Sequence, residues 1–155
     1  MNKFSFIFIG SFFLLLSILS FFNIIYSYYF NIFLSVDSYI YTFFICLILG
    51  SLLIFYNKIK LKKNTLFENI STVLIGYIIF PIIISLPYYL SIFNLTFLNC
   101  YFEAVSGFTS TGFTVFDNIK HLDQSLILWR STSQWIGGLY FLFSILLLIN
   151  ILMKI

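Results

Sequence analysis

The sequence predicts an all-α integral membrane protein: two leading transmembrane helices followed by one helix–pore-loop–helix repeat. Three observations predict it. Hydrophobic residues make up 61% of the chain and charged residues only 8%, where a soluble domain carries about 25% charged residues. The apolar residues gather into runs that reach the ~20 residues one membrane span needs. Before the last run lies Tyr101 to Phe116, YFEAVSGFTSTGFTVF, which is too short to span and too polar to face lipid.

Composition also excludes several classes. The net charge of +3 is small and the lysines cluster in one loop, so no nucleic-acid partner is expected; membrane lipid is the expected surroundings. No Ser/His/Asp, Cys/His or paired-carboxylate constellation stands at usable spacing, so no enzymatic activity is expected. Cys46 and Cys100 fall on different predicted elements and read as packing residues. His121 is the sole histidine, and no second ligand stands at metal spacing.

Phe4 to Val36 carries no charge. The first span is Phe4 to about Ile25, with Tyr26, Tyr28 and Tyr29 as an interfacial aromatic belt. A cleaved signal peptide is the weaker reading, because the run is long and no small-x-small site follows it. Asp37 and Ser38 open the second span, Tyr39 to Tyr56. Lys58, Lys60, Lys62 and Lys63 follow, and this dense positive cluster is expected on the cytoplasmic side. Residues 1–64 then form two helices and a basic loop, and residues 65–155 the helix–pore-loop–helix repeat. With the lysines inside, both termini are cytoplasmic and the Tyr101–Phe116 loop enters from outside a cell (inner) membrane.

Leu66 to about Leu90 is the third span, with Glu68 in its first turn. Pro81 lacks an N–H and is expected to kink it, and Pro87 lies where the helix can stop. Tyr101 to Phe108 is expected as a short half-helix, capped by Thr96 or Asn99, and Thr109 to Phe113 as its extended return. Val115 to Ser125 is the exit loop. Its Asp117 and Asp123 either concentrate cations at an outer mouth or are ordinary loop charges. The fourth span runs from Leu126 to about Met153, and its Gly137-Gly138 pair permits close helix approach.

The loop carries the chemistry. Irregular backbone at membrane depth survives only where protein buries it or where it lines a watery cavity. A half-helix diving into the membrane aims the negative end of its dipole at the membrane centre. The backbone of Thr109, Ser110, Thr111, Gly112 and Phe113 can then offer carbonyl oxygens to a dehydrated cation. Gly112 can take backbone angles closed to other residues and so turn a carbonyl inward. Ser110 and Thr111 add uncharged hydroxyl oxygens suited to an alkali cation. Arg130 is a cation inside an apolar helix, and such residues usually pair within the bundle. Glu103 on the half-helix is the expected partner, the two bracing the loop from behind. Snorkelling of Arg130 to the interface is the alternative.

FEAVSGFTSTGFTV (Phe102 to Val115), with LILWRSTSQWIGG (Leu126 to Gly138) and SLPYYL (Ser85 to Leu90), resembles the first pore-loop repeat of the Trk-type potassium uptake permeases, in the Trk, Ktr and HKT transporter superfamily. The resemblance implies potassium uptake driven by membrane potential or ion gradients, as in a symporter. It implies four such repeats around one pore, so this chain supplies about a quarter of a filter and reads as an N-terminal fragment. Its partners would be the remaining repeats or further copies of itself, with a cytosolic nucleotide-binding regulatory subunit as a candidate. Potassium is the transported ion, and no tightly bound cofactor is implied. Gly112 favours potassium, since Ser at the equivalent place goes with sodium passage. Two departures stand out. The family often has an Arg-acid-Gly run where this chain has Lys63-Asn64-Thr65, and usually Met-Gly where it has Leu139-Tyr140. A homotetrameric cation channel and a non-conducting truncated membrane protein are the alternatives.

Overall fold

The computed structural model describes residues 3–56, 66–91, 95–117, 119 and 122–152. The expected cytoplasmic lysines, together with Lys120, His121 and Lys154, lie outside the described residues. The fold is all-α, with no strand among the described residues. Its elements are α1 (Lys3–Tyr29), α2 (Val36–Phe55), α3 (Leu66–Ile84), α4 (Leu86–Tyr89), α5 (Phe97–Phe108) and α6 (Gln124–Leu152). Four helical stretches, with α3 and α4 counted as one, are long and apolar enough to cross a membrane.

In lipid, helices gain little by hiding apolar surface from one another, so close packing and interhelical hydrogen bonds hold them together. Both are visible. α1 and α2 form an antiparallel hairpin that crosses at Gly10 and Gly50. A Cβ on Gly50 would stand 3.0 Å from the Gly10 carbonyl oxygen. Toward the hairpin's turn, Ser20 Oγ donates to the Tyr39 carbonyl at 2.8 Å.

α3 and α6 also run antiparallel, tied at two depths. Trp129 Nε1 donates to the Ile84 carbonyl at 3.0 Å, and Tyr140 Oη donates to the Val73 carbonyl at 3.0 Å. Gly76 leaves the notch for Tyr140, since a Cβ there would collide with the Tyr140 hydroxyl. Tyr140 also meets the rings of Phe12, Phe80 and Phe108. The residue that departs from the family pattern is thus the hub where α1, α3, α5 and α6 meet.

α1 extends through Tyr29, past the expected end at Ile25, and carries the three tyrosines as helix. α3 continues through Pro81, where a kink is expected, and breaks at Ser85, just before the short α4 that holds Pro87. The Ser85 N–H still donates to the Pro81 carbonyl at 2.9 Å, which carries the chain into the short α4.

Candidate functional site

α5 begins at Phe97, earlier than the expected Tyr101, because Thr96 caps it. Thr96 is extended, and its side chain accepts from the Asn99 N–H at 3.4 Å. The 12 residues of α5 span about 18 Å, short of the ~30 Å of a bilayer core. It therefore stops part-way. Its last ring, Phe108, packs on Tyr77, Phe80 and Tyr140, near the middle of α3 and α6. Gly137 makes that seat, because a Cβ there would strike the Phe108 carbonyl. The Gly-Gly pair thus serves close approach at Gly137, while Gly138 faces open space.

The chain then turns back. The Ser110 N–H donates to the Gly107 carbonyl at 2.9 Å, and the Thr111 N–H donates to the Ser106 carbonyl at 3.0 Å. This pair of bonds is the Schellman closure of a helix, which wants a left-handed residue after the cap. Ser110 takes that place with φ 57°, where glycine is usual. For an L-residue that conformation costs roughly 1–2 kcal/mol. Gly112 is the second left-handed residue, with φ 82°. Thr109 and Ser110 therefore belong to the turn, and the extended return expected from Thr109 begins only at Thr111.

The back of the loop is densely bonded. Glu103 is only 1% exposed. Its Oε2 accepts from Thr114 Oγ1 and from the Val115 N–H, each at 3.0 Å. Its Oε1 lies 2.9 Å from Arg130 Nη2. That contact is an ion pair, with no hydrogen bond to Oε1 among the described residues. Arg130 Nη1 donates to Thr114 Oγ1 at 3.2 Å. The structure thus brings Glu103 and Arg130 together, with Thr114 between them. Ser106 holds the loop's lower half. Its Oγ donates to the Phe113 carbonyl at 2.6 Å, and Thr111 Oγ1 lies 3.2 Å from both oxygens of Ser106.

The front is open. Thr109, Ser110, Thr111, Gly112 and Phe113 are all exposed. Among the described residues, the carbonyls of Thr109, Ser110, Thr111 and Gly112 have no hydrogen-bond partner, and neither has the Ser110 hydroxyl. The Thr111 hydroxyl is turned back to Ser106, which leaves that residue only its carbonyl on the open side. An open cavity of about 240 Å³ adjoins the turn, lined by Tyr77, Phe108, Thr109, Ser110, Gly137, Gly138 and Phe141. No group of three or more His, Cys, Asp or Glu able to hold a metal occurs among the described residues.

Ser106 and Thr114 escaped the reading of the sequence as individual residues. Their signal was spacing: each is a hydroxyl that the half-helix and its return bring face to face. Asp123 has local partners. Its carboxylate accepts from the Ser125 N–H at 3.3 Å and from Ser125 Oγ at 3.0 Å, opening α6.

Residues 35–154 match the family model of TrkH, a cation transport protein. The chain belongs to the TrkH family. It is 34% identical over 79 residues to an uncharacterized cation transporter of Methanocaldococcus jannaschii, covering 51% of this chain and 17% of that protein. With the Trk system potassium uptake protein TrkG of Escherichia coli it shares 42% identity over 64 residues, covering 41% of this chain and 13% of the relative. With TrkH of the same species it shares 30% over 99 residues, 63% of this chain and 20% of the relative. The matched stretch thus spans a fifth or less of each relative's length. No solved structure matches the chain. Family membership and the spanning helices make it a multi-pass membrane protein.

Proposed function

We propose that this chain forms one wall of a potassium-selective uptake pathway, with Thr109 to Gly112 as its ion-facing segment. The observation that supports it is the row of unpartnered carbonyls on Thr109, Ser110, Thr111 and Gly112. They directly follow Phe108, whose ring packs on Tyr77 and Tyr140, well inside two spanning helices. Lipid cannot face such groups, so water, an ion or more protein must. Extended backbone alternates its carbonyls from side to side. Left-handed residues at alternate positions, here Ser110 and Gly112, interrupt that alternation and let successive carbonyls share a side. Dehydrated potassium takes such oxygens in place of its water shell. The dipole of α5 ends beside them with its negative pole.

In this reading one loop supplies about a quarter of a filter ring. Further repeats of the longer protein, or further copies of the chain, supply the rest. Residues 1–64 are then the leading hairpin and basic loop, and residues 65–155 the pore-forming repeat. The lysine cluster puts both termini in the cytoplasm of a cell whose inner membrane holds the protein. Coupling to a second ion and docking of a cytosolic nucleotide-binding subunit follow only from the family. The Glu103–Arg130 pair braces the filter from behind.

The test is rubidium uptake by potassium-starved cells whose only potassium route is the full gene product. Gly112→Asp puts a charged L-residue at φ 82° and should abolish uptake while the protein stays in the membrane. Uptake unchanged by Gly112→Asp would mean that the loop is not the pathway.

A further inference from the structure

The open and bonded carbonyls divide at a sharp point. Thr109, Ser110, Thr111 and Gly112 carry unpartnered carbonyls, and the next one, on Phe113, is taken. Ser106 takes it, through an O–H donor at 2.6 Å. Ser106 is 3% exposed and stands on the face of α5 that looks at the returning chain. The same residue holds Thr111 twice, by its carbonyl to the Thr111 N–H at 3.0 Å and by both its oxygens to Thr111 Oγ1 at 3.2 Å. Two alternate residues of the loop, Thr111 and Phe113, are thus pinned to one buried serine, and Gly112 between them is left free to turn outward.

We propose that Ser106 is a positioning residue that sets which carbonyls of the loop meet the ion. Its hydroxyl turns the Phe113 carbonyl into the protein and so ends the row of ligands at Gly112. A short hydrogen bond points the Phe113 oxygen at α5, whereas the carbonyls of Thr109 to Gly112 have no such anchor among the described residues. The Glu103–Arg130 pair cannot do this, since its bonds fall on Thr114 and Val115, beyond Phe113. The loop therefore has two separate fastenings with different tasks. The ionic one holds the returning chain against α6. The hydroxyl one decides the count and direction of the ion-facing oxygens. The number of coordinating carbonyl dipoles and the size of the cavity they frame are the two levers that separate potassium from the smaller sodium ion at a carbonyl site.

The proposal rests on the filter reading above, and its test separates the two. Uptake of rubidium and of sodium is measured in the full gene product carrying Ser106→Ala, Ser106→Cys, or Gly112→Asp. Ser106→Ala removes the donor. Ser106→Cys keeps a similar volume with a much weaker donor. Both should retain uptake, with preference for rubidium over sodium falling roughly fivefold in the alanine variant, the worth of one ordinary hydrogen bond. The cysteine variant should fall between it and the parent. If Gly112→Asp abolishes uptake and both Ser106 variants keep the parent's ion preference per molecule in the membrane, the Ser106 proposal is overturned and the filter reading stands. If Gly112→Asp leaves uptake intact, both fall. Should the alanine variant fail to reach the membrane, the cysteine variant's ion preference decides alone.

Discussion

The two sides of the Thr109–Val115 loop are made from the same few residues and are opposite in character. On the side toward α5 and α6, a carboxylate, a guanidinium and two hydroxyls bind almost every polar group within reach. On the other side, four consecutive carbonyls and a serine hydroxyl bind nothing among the described residues. Physical chemistry makes the bonded side the ordinary one, because unpaired polar groups at membrane depth cost several kcal/mol each. The open side is the exception, and an exception repeated at four successive residues needs an occupant. On the proposed reading, the bonded side holds the loop still so that the open side can select among ions.

That contrast can be broken most forcefully from behind. Arg130→Gln leaves Glu103 charged and buried without its counter-ion, which should cost about 3–5 kcal/mol. Thermal unfolding in detergent would show it as a large loss. Adding Glu103→Gln should recover much of it, so the two changes will not add. Strict additivity in that cycle would mean that the 2.9 Å contact does not couple the two residues.

A smaller loss is expected from Gly137→Ala, which drives a methyl group into the Phe108 carbonyl and displaces the end of α5. Overpacking of this kind costs about 1–3 kcal/mol. Gly138→Ala, on open ground one residue away, should leave stability unchanged. The difference between the two would confirm which glycine seats the half-helix. Thr114→Val comes next. It removes the hydroxyl shared by Glu103, Arg130 and the Phe116 N–H, for a loss of about 1–2 kcal/mol.

The smallest effect sharpens the contrast instead of breaking it. Ser110→Gly relieves the left-handed serine but loosens the unfolded chain, so stability should move by no more than about 1 kcal/mol. The variant also removes the loop's unpartnered serine hydroxyl, so ion preference should change although stability hardly does. A stability loss with unchanged ion preference would place Ser110 among the structural residues.

Much of the fold was legible because run length decides membrane spans. α2, α3 and α6 begin within a few residues of where the apolar runs begin. The Glu103–Arg130 pair was legible for a similar reason, since a buried charge must find its opposite. What stayed hidden depends on which distant residues meet. Tyr140 stood out in the sequence only as a departure from the family's Met-Gly. In the fold it fills the notch at Gly76, more than sixty positions earlier in the chain. The turn at Thr109–Ser110 stayed hidden too. A left-handed helix cap usually holds glycine or asparagine, so Ser110 gave no sign of one. Ser106 read as one hydroxyl among many until the returning chain placed Phe113 against it.

The account's central claim is that one side of this loop meets ions and the other does not. Cysteine modification tests it directly. Ser110→Cys and Thr114→Cys are made in the full gene product, whose native Cys46 and Cys100 are both buried. Each is treated with a charged, water-soluble thiol reagent in potassium and in choline. The account predicts that Ser110→Cys reacts, that potassium slows the reaction relative to choline, and that Thr114→Cys stays inert in both. A Ser110→Cys that is inert, or that reacts equally fast in potassium and choline, would contradict it.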